Sequence, residues 1–352
     1  MKQLFNYCYI PGYNDKSLTT KDAIQAQSYL NSLGLDGIEL FHYKKEPDVV
    51  SVPVFPTLGV HLKYWPYWLD FWHGNKQSLK KQFANVEELQ KYFFGAAVGK
   101  KVAVIGAGGI GFDVSEFLTQ AGESTTLNKE EWINAIKENI KNALSANPEY
   151  LVWHVSDADT ENIFTFSFNH TDEEVITATA EVFNAVSEII PQNVMVLFEN
   201  LWWPGLRLTN KKIVDTFFAL LKRDNVGIML DTGHLMNTNP ALNNEEEAAD
   251  YLCQTIENLG TAKELIYGIH LSSSISGEYV ASFERSVPAS INPEKIMQHI
   301  AQIDRHQAWT SSKIKDLFNI VEPRYVVHEL YYNDFQDLAR LVRRQQTAIG
   351  II

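Results

Sequence analysis

Residues 226–234 read VGIMLDTGH. The apolar run 226–230 stops abruptly at Asp231, and His234 follows three residues later. This is the pattern of a buried strand whose carboxyl end delivers a carboxylate and an imidazole into one cavity. Burying an unpaired charge is very costly, so a carboxylate there calls for a partner such as a cation. The fold follows from counting how many other stretches have the same form.

Taken in chain order, the short apolar runs are 4–10 (LFNYCYI), 37–40 (GIEL, with Glu39 inside it), 59–64 (with His61), 150–155 (with His154), 194–198 (ending at Glu199), 226–230 (ending at Asp231), 266–271 (with His270) and 325–330 (with Glu329). Amphipathic stretches separate most of them. Ile24, Leu30 and Leu33 share a face before Gly34. Trp132, Ile136, Ile140 and Leu144 recur at i+4, behind Asn128 as a cap, and Val175, Ala178, Val182, Val186 and Ile189 recur at steps of three and four. Further helices carry Ile213, Phe217 and Leu221, span 245–259, and carry Phe335, Leu338 and Leu341, with two helical stretches before the eighth strand. Only residues 41–56, with Pro47, Pro53 and Pro56, offer no convincing helix. Strands alternating with helices imply a parallel sheet, and eight such units imply a closed (β/α)8 TIM barrel. We expect one barrel domain over residues 1–352, interrupted by an inserted β-α fragment at about 94–128 between strands three and four.

Bulk composition agrees with an ordinary globular chain: 352 residues, 45% hydrophobic and 21% charged. The net charge of −13 speaks against a nucleic-acid partner, because duplex binding rests on Lys and Arg. Two cysteines, Cys8 and Cys253, without a CxxC, speak against a disulfide framework or a cysteine zinc site and suit a reducing compartment. The first residues are too polar for a signal peptide, and no apolar run approaches the length of a membrane span. We expect a soluble, cytoplasmic protein with a small-molecule substrate and no membrane partner; it could assemble into an oligomer.

In barrels of this kind, functional residues sit at the carboxyl ends of the strands. His61, His154, Glu199, Asp231, His270 and Glu329 each lie late in a different strand and would converge on one rim. A lone strand-end histidine is most often a satisfied structural residue, and a lone glutamate often caps a loop. Six together, without a matching number of Lys or Arg, repel or desolvate one another unless a cation joins them. Mixed imidazole and carboxylate donors suit zinc, manganese, cobalt or iron better than calcium. Aromatic residues flank the same ends: Tyr64, Trp65, Trp68 and Trp72 after strand three, and Trp202 and Trp203 after strand five. They either stack on a sugar face or pack loops together. Lys63 lies two residues beyond His61 and would share its strand face, whereas Lys44 and Lys45 read as solvated.

The segments VLFEN (Glu199), MLDTGH (Asp231, His234), GIHLS (His270) and VVHEL (Glu329) resemble the xylose isomerase-like TIM barrels. That superfamily includes sugar isomerases and epimerases and the endonuclease IV-type nucleases. The resemblance implies Glu199, Asp231, His270 and Glu329 as ligands of a catalytic divalent ion (Mn, Zn, Co or Mg). In the epimerase branch it implies Glu199 and Glu329 as the pair that moves a proton beside a ketose carbonyl, with His234 holding a substrate oxygen. A metal that polarises the carbonyl acidifies that C–H, and a carboxylate on each face can take and return the proton. In the nuclease branch, His61 and His154 resemble additional ligands. Asp304-Arg305-His306 resembles a third-metal Asp-x-His, although the solvated end of a helix is the plainer reading for it. The first expectation is a metal-dependent sugar isomerase or epimerase holding close to one ion per chain. The alternative is an endonuclease IV-like phosphodiesterase.

One block does not belong to this pattern. Residues 99–125 contain a strand-like run and then Gly106, Gly108 and Gly111 in GxGxxG spacing, resembling the opening of the NAD(P)-binding region of dienoyl-CoA reductase-type oxidoreductases. That fingerprint works within a sheet whose next strand presents an acid to the ribose. Here no second strand follows, and Glu123 stands at a suitable distance without one. A single β-α unit cannot bind a dinucleotide alone, so we expect no cofactor there. An NAD(P)-linked oxidoreductase is the most distant alternative.

Overall fold

The computed structural model describes residues 1–8, 23–41, 55–83, 88–89, 92–93, 129–289, 291 and 293–352. Eight parallel strands close into a barrel in sequence order: β1 (Lys2–Cys8), β2 (Gly37–Phe41), β3 (Thr57–His61), β4 (Tyr150–His154), β5 (Met195–Glu199), β6 (Val226–Asp231), β7 (Ile266–Leu271) and β8 (Tyr325–His328). Closure is made by β1 pairing with β8, with Leu4 opposite Val327. The eight strands are those expected from the sequence, displaced by up to three residues at their ends, most at β3, which stops at His61.

Side chains alternate across a strand, so every second residue points into the barrel. Leu4, Tyr150, Val152, Leu197, Met229 and Val327 meet there as one buried cluster. Continuing each strand by two residues from such a position arrives at His154, Glu199, Asp231 and Glu329. The same periodicity that fills the interior therefore carries the polar residues into its upper end. Two glycines make room for large neighbours at this level. A Cβ on Gly59 would lie 2.2 Å from the Tyr150 ring, and one on Gly268 would lie 2.6 Å from Met229 Sδ.

Helices cover the strands from outside. Ala23–Leu33 follows β1, Lys129–Leu144 precedes β4, Asp172–Val186 precedes β5, and Lys211–Leu220, Glu245–Asn258 and Phe335–Ala348 follow β5, β6 and β8. Their stripes pack as the spacing predicts: Trp132, Ile136 and Ile140 are buried, as are Val175, Ala178, Val182 and Val186. Thr171 caps Asp172–Val186 through a reciprocal capping box with Glu174, which satisfies two backbone donors at its start. Ile24 departs from expectation: it is 82% exposed, and Ala26 takes the inward place beside Leu30 and Leu33. Among the described residues three α-helices rather than two lie between β7 and β8, namely Gly277–Ser282, Pro293–Ile303 and Lys315–Val321. The 94–128 block with Gly106, Gly108, Gly111 and Glu123, the Asn128 cap, and Lys44 and Lys45 lie outside the described residues. No helix among the described residues is long and apolar enough to cross a membrane.

Candidate metal centre

Burial grades the polar residues by depth. Glu39, Glu199, Asp231 and His270 are 0–1% exposed at the bottom, while Glu329 and His306, at 8% and 9%, lie nearer the mouth. Tyr331, 54% exposed, stands at the rim with its ring 4.6 Å from that of His306.

Asp231 shows how local structure aims a side chain. It is the N-cap of the short helix Thr232–Asn237, and its Oδ1 accepts the His234 backbone N–H at 2.6 Å. Its backbone N–H and C=O are both taken by the Asn200 side chain, at 2.9 and 3.0 Å. What remains is Oδ2, buried without a hydrogen bond and turned to the centre. Both oxygens of Glu199, Glu329 Oε2 and His270 Nδ1 are in the same condition.

These atoms converge. His270 Nδ1 lies 3.5 Å from Glu199 Oε1, 3.9 Å from Asp231 Oδ2 and 3.1 Å from Glu329 Oε2. His154 Nε2 lies 3.2 Å from Glu199 Oε2, and His61 Nδ1 lies 3.9 Å from the same oxygen. Two ligands of one ion, each with a bond near 2.1 Å, stand about 3.0–3.4 Å apart. With donor atoms within 4.8 Å of one another, Glu199, Asp231, His270 and Glu329 form one group, His61, His154 and Glu199 a second, and Glu39, His61 and His270 a third, so Glu199 belongs to the first two. Among the described residues, no Lys or Arg pairs with any of these carboxylates. Buried, hydrogen-bond-starved donors of mixed N and O type, with no lysine or arginine paired to them, fit a divalent ion.

The electrostatics follow from burial and neighbours. Burial pushes His154 down to about 4, so it is neutral at pH 7 and ready to act as a ligand. Burial would raise Glu199, but His154 and His270 hold it well below the carboxylate range. Asp231 goes the other way: burial outweighs His234 and lifts it well above. Burial depresses His270 and His234, yet the surrounding carboxylates more than reverse this and raise both.

Asp304 and His306 correct an expectation. They are not the solvated end of Pro293–Ile303 but are 5% and 9% exposed, and they face His234. Asp304 Oδ2 lies 3.2 Å from His234 Nε2 and 2.7 Å from His306 Nε2. The other ring nitrogens face carbonyls: His234 Nδ1 is 2.8 Å from Asn200 O, and His306 Nδ1 is 3.3 Å from Glu329 O. A carbonyl only accepts, so each Nδ1 carries a proton and each Nε2 turns toward one carboxylate. Burial lowers His306, but Asp304 overrides this and brings it up to about 10. A positive φ of 43° at His306 turns the chain back toward the mouth.

Glu39 is the member that the motifs missed. Its Oε1 lies 2.7 Å from His61 Nε2 and 2.9 Å from His270 Nε2, and its Oε2 accepts the Tyr150 hydroxyl at 2.6 Å. The available signal was a carboxylate inside the apolar run GIEL.

The aromatics divide. Tyr64 stacks on His154 at 4.7 Å and Trp202 lies 5.2 Å from His234, so both wall the centre. Trp65, Trp68 and Trp72 instead gather on Trp132, outside the barrel, and Trp203 packs on Trp202. β3 ends at His61, and Lys63 turns outward, its Nζ donating to Tyr92 O at 3.0 Å and lying over Trp65. It does not reach the mouth.

No family model matches the sequence. Among solved structures, a chain described as AsfvAP:AG superposes with a TM-score of 0.51 at 8% identity, covering 99% of this chain and 98% of that one. Endonuclease IV from Thermus thermophilus gives 0.49 at 12%, covering all of both chains. L-ribulose 3-epimerase gives 0.49 at 10%, covering 99% and 93%. At such identities the likeness extends to the barrel fold alone.

Proposed function

We propose that this chain is a metal-dependent enzyme of the xylose isomerase-like kind that hydrolyses a phosphate ester with more than one ion. The observation carrying this reading is the sharing of Glu199 between two donor groups. A one-ion isomerase has use for only one such group, whereas paired ions about 3.5–4 Å apart suit in-line displacement at phosphorus. The triad His234–Asp304–His306 adds a third candidate position. Divalent ions held in this way would supply Lewis acidity toward a phosphoryl oxygen and generate a nucleophile from water at neutral pH.

The protein's own part is placement. Glu199 offers one oxygen to each group. Asp231, His270 and Glu329 complete the first, and His61 and His154 complete the second. Tyr64 and Trp202 keep bulk water from the sides of the centre. The net charge of −13 favours a small ester over a duplex. Gly106, Gly108 and Gly111 play no part in this reading.

A second reading, the sugar isomerase or epimerase, is favoured by one geometric fact. Glu199 and Glu329 both lie against His270 Nδ1, at 3.5 and 3.1 Å, so two carboxylates stand close enough together to serve one substrate carbon. One experiment separates the two. Protein loaded with zinc, manganese or cobalt is given bis(4-nitrophenyl) phosphate, an abasic duplex, and a panel of ketoses in deuterium oxide. EDTA-sensitive release of nitrophenol supports hydrolysis, and nicking of the duplex alone assigns a nucleic-acid substrate. Deuterium incorporation beside a ketose carbonyl, without phosphoester cleavage, overturns the hydrolase in favour of the isomerase.

A further inference from the structure

We infer that Glu39 is the positioning residue of the centre: one carboxylate that sets the proton, and so the ligand nitrogen, of both His61 and His270. The inference rests on the metal reading above. Each imidazole has two ring nitrogens, and in both residues Nδ1 is turned toward Glu199 while Nε2 is turned toward Glu39. The two rings lie one over the other, 5.0 Å apart at 23°, so their Nε2 edges reach a single oxygen, Glu39 Oε1. At 2.7 and 2.9 Å both contacts are close, but neither has the angle of a hydrogen bond, and Glu39 Oε1 and both Nε2 atoms are buried without one.

The rest of Glu39 is fixed. Tyr150 donates its hydroxyl to Oε2 at 2.6 Å, and Tyr150 is held against Gly59, where only a hydrogen fits. Glu39 is 1% exposed, and the imidazoles of His61 and His270 lie against it. An Nε2–H directed at Glu39 would leave the Nδ1 lone pair of each ring as the one available, and both Nδ1 atoms face the groups that share Glu199. Ligating histidines commonly give their other N–H to a carboxylate, which orients the ring and raises its basicity. Here one carboxylate does so for two rings, on one side for each group. Glu39 therefore touches neither ion nor substrate on this reading and acts through the two imidazoles.

The test is nitrogen-15 and proton NMR of the histidines, before and after zinc addition, with zinc affinity measured in parallel. Two downfield ring protons bound to Nε2 are expected in wild type in both states, with zinc shifting the Nδ1 nitrogens. Glu39→Gln should lose at least one of those protons and bind zinc roughly 10–100-fold more weakly. Tyr150→Phe, which frees Oε2 without removing the carboxylate, should give a smaller loss, and it keeps the test open should Glu39→Gln fail to fold. Zinc shifting the Nε2 nitrogens instead would make Glu39 a ligand and overturn the inference, as would Glu39→Gln with wild-type affinity and unchanged histidine signals. Wild type that shows both Nε2 protons yet binds no zinc overturns the metal reading while leaving the hydrogen-bonded arrangement standing.

Discussion

His154 Nε2 sits 3.2 Å from Glu199 Oε2, and the two residues are direct partners in the β4–β5 ladder. Their meeting is therefore a product of strand register. A slip of one residue would turn either side chain out of the barrel and dismantle the group. Asp231 and His270 are partners in the β6–β7 ladder in the same way.

Elemental analysis of the purified protein is expected to find at least two divalent ions per chain, more than the single ion that the sequence reading anticipated. Asp231→Ala removes a donor from one group and should lose one ion. Glu199→Ala removes a donor from both and should lose two. A single ion, retained in His154→Ala, would return the site to isomerase geometry.

Zinc binding should release protons. His234 and His270 are both raised well above the ordinary histidine range, so each carries an extra proton near pH 7 when no ion is bound. A ligand nitrogen must give that proton up. Calorimetric titration in buffers of different ionisation enthalpy should show a net release at pH 7, and a binding heat independent of buffer would contradict it.

Asp157 gives a pH effect separate from the centre. Its Oδ1 accepts the backbone N–H groups of Trp68 and Leu69 at 2.8 and 2.9 Å, but burial still raises its carboxyl to about 6. A carboxyl raised above its unfolded value near 3.8 stabilises the fold in its neutral form. That contribution is complete below about pH 4 and is lost as pH climbs through about 6. Asp157→Asn keeps the acceptor and abolishes the titration. Its melting temperature relative to wild type should therefore improve between pH 4 and pH 7, and a constant difference across that range would refute the assignment.

Gly59→Ala places a methyl 2.2 Å from the Tyr150 ring, which is fully buried and cannot retreat. Overpacking of this kind costs about 1–3 kcal/mol, to be read from urea denaturation. Any shift of Tyr150 also disturbs its bond to Glu39, so zinc affinity should fall together with stability.

Replacing residues 94–128 with a short Gly/Ser linker should leave ion binding intact. Phe93 and Trp132, just outside the two ends of the block, pack edge to face with centroids 5.7 Å apart, so a short connection can span them. Loss of zinc binding in a folded, shortened protein would show that the block serves the centre, and NADH binding to the full chain would give it a role of its own.

The strand-by-strand reading worked because the signal is local. An apolar run followed by a polar residue two positions beyond an inward one is visible in any stretch such as MLD or VLFE. Asp304 and His306 could not be judged in this way. They follow a helix, and a helix end reads as solvated until the backbone turn at His306 is known. Glu39 stood in plain view inside an apolar run, yet nothing along the chain connects it to residues 61 and 270.

The sequence by itself determined the eight-unit barrel, the order of its strands and which of them end in acids and imidazoles. These are matters of periodicity, which operates within a few residues. Only the tertiary structure decided that Glu199 is shared between two groups, that Glu39 rather than solvent faces both Nε2 atoms, and that Lys63 turns away. Those outcomes depend on closure of the ring, which brings residues from distant parts of the chain within 3–4 Å and thereby selects which ring nitrogen faces which oxygen.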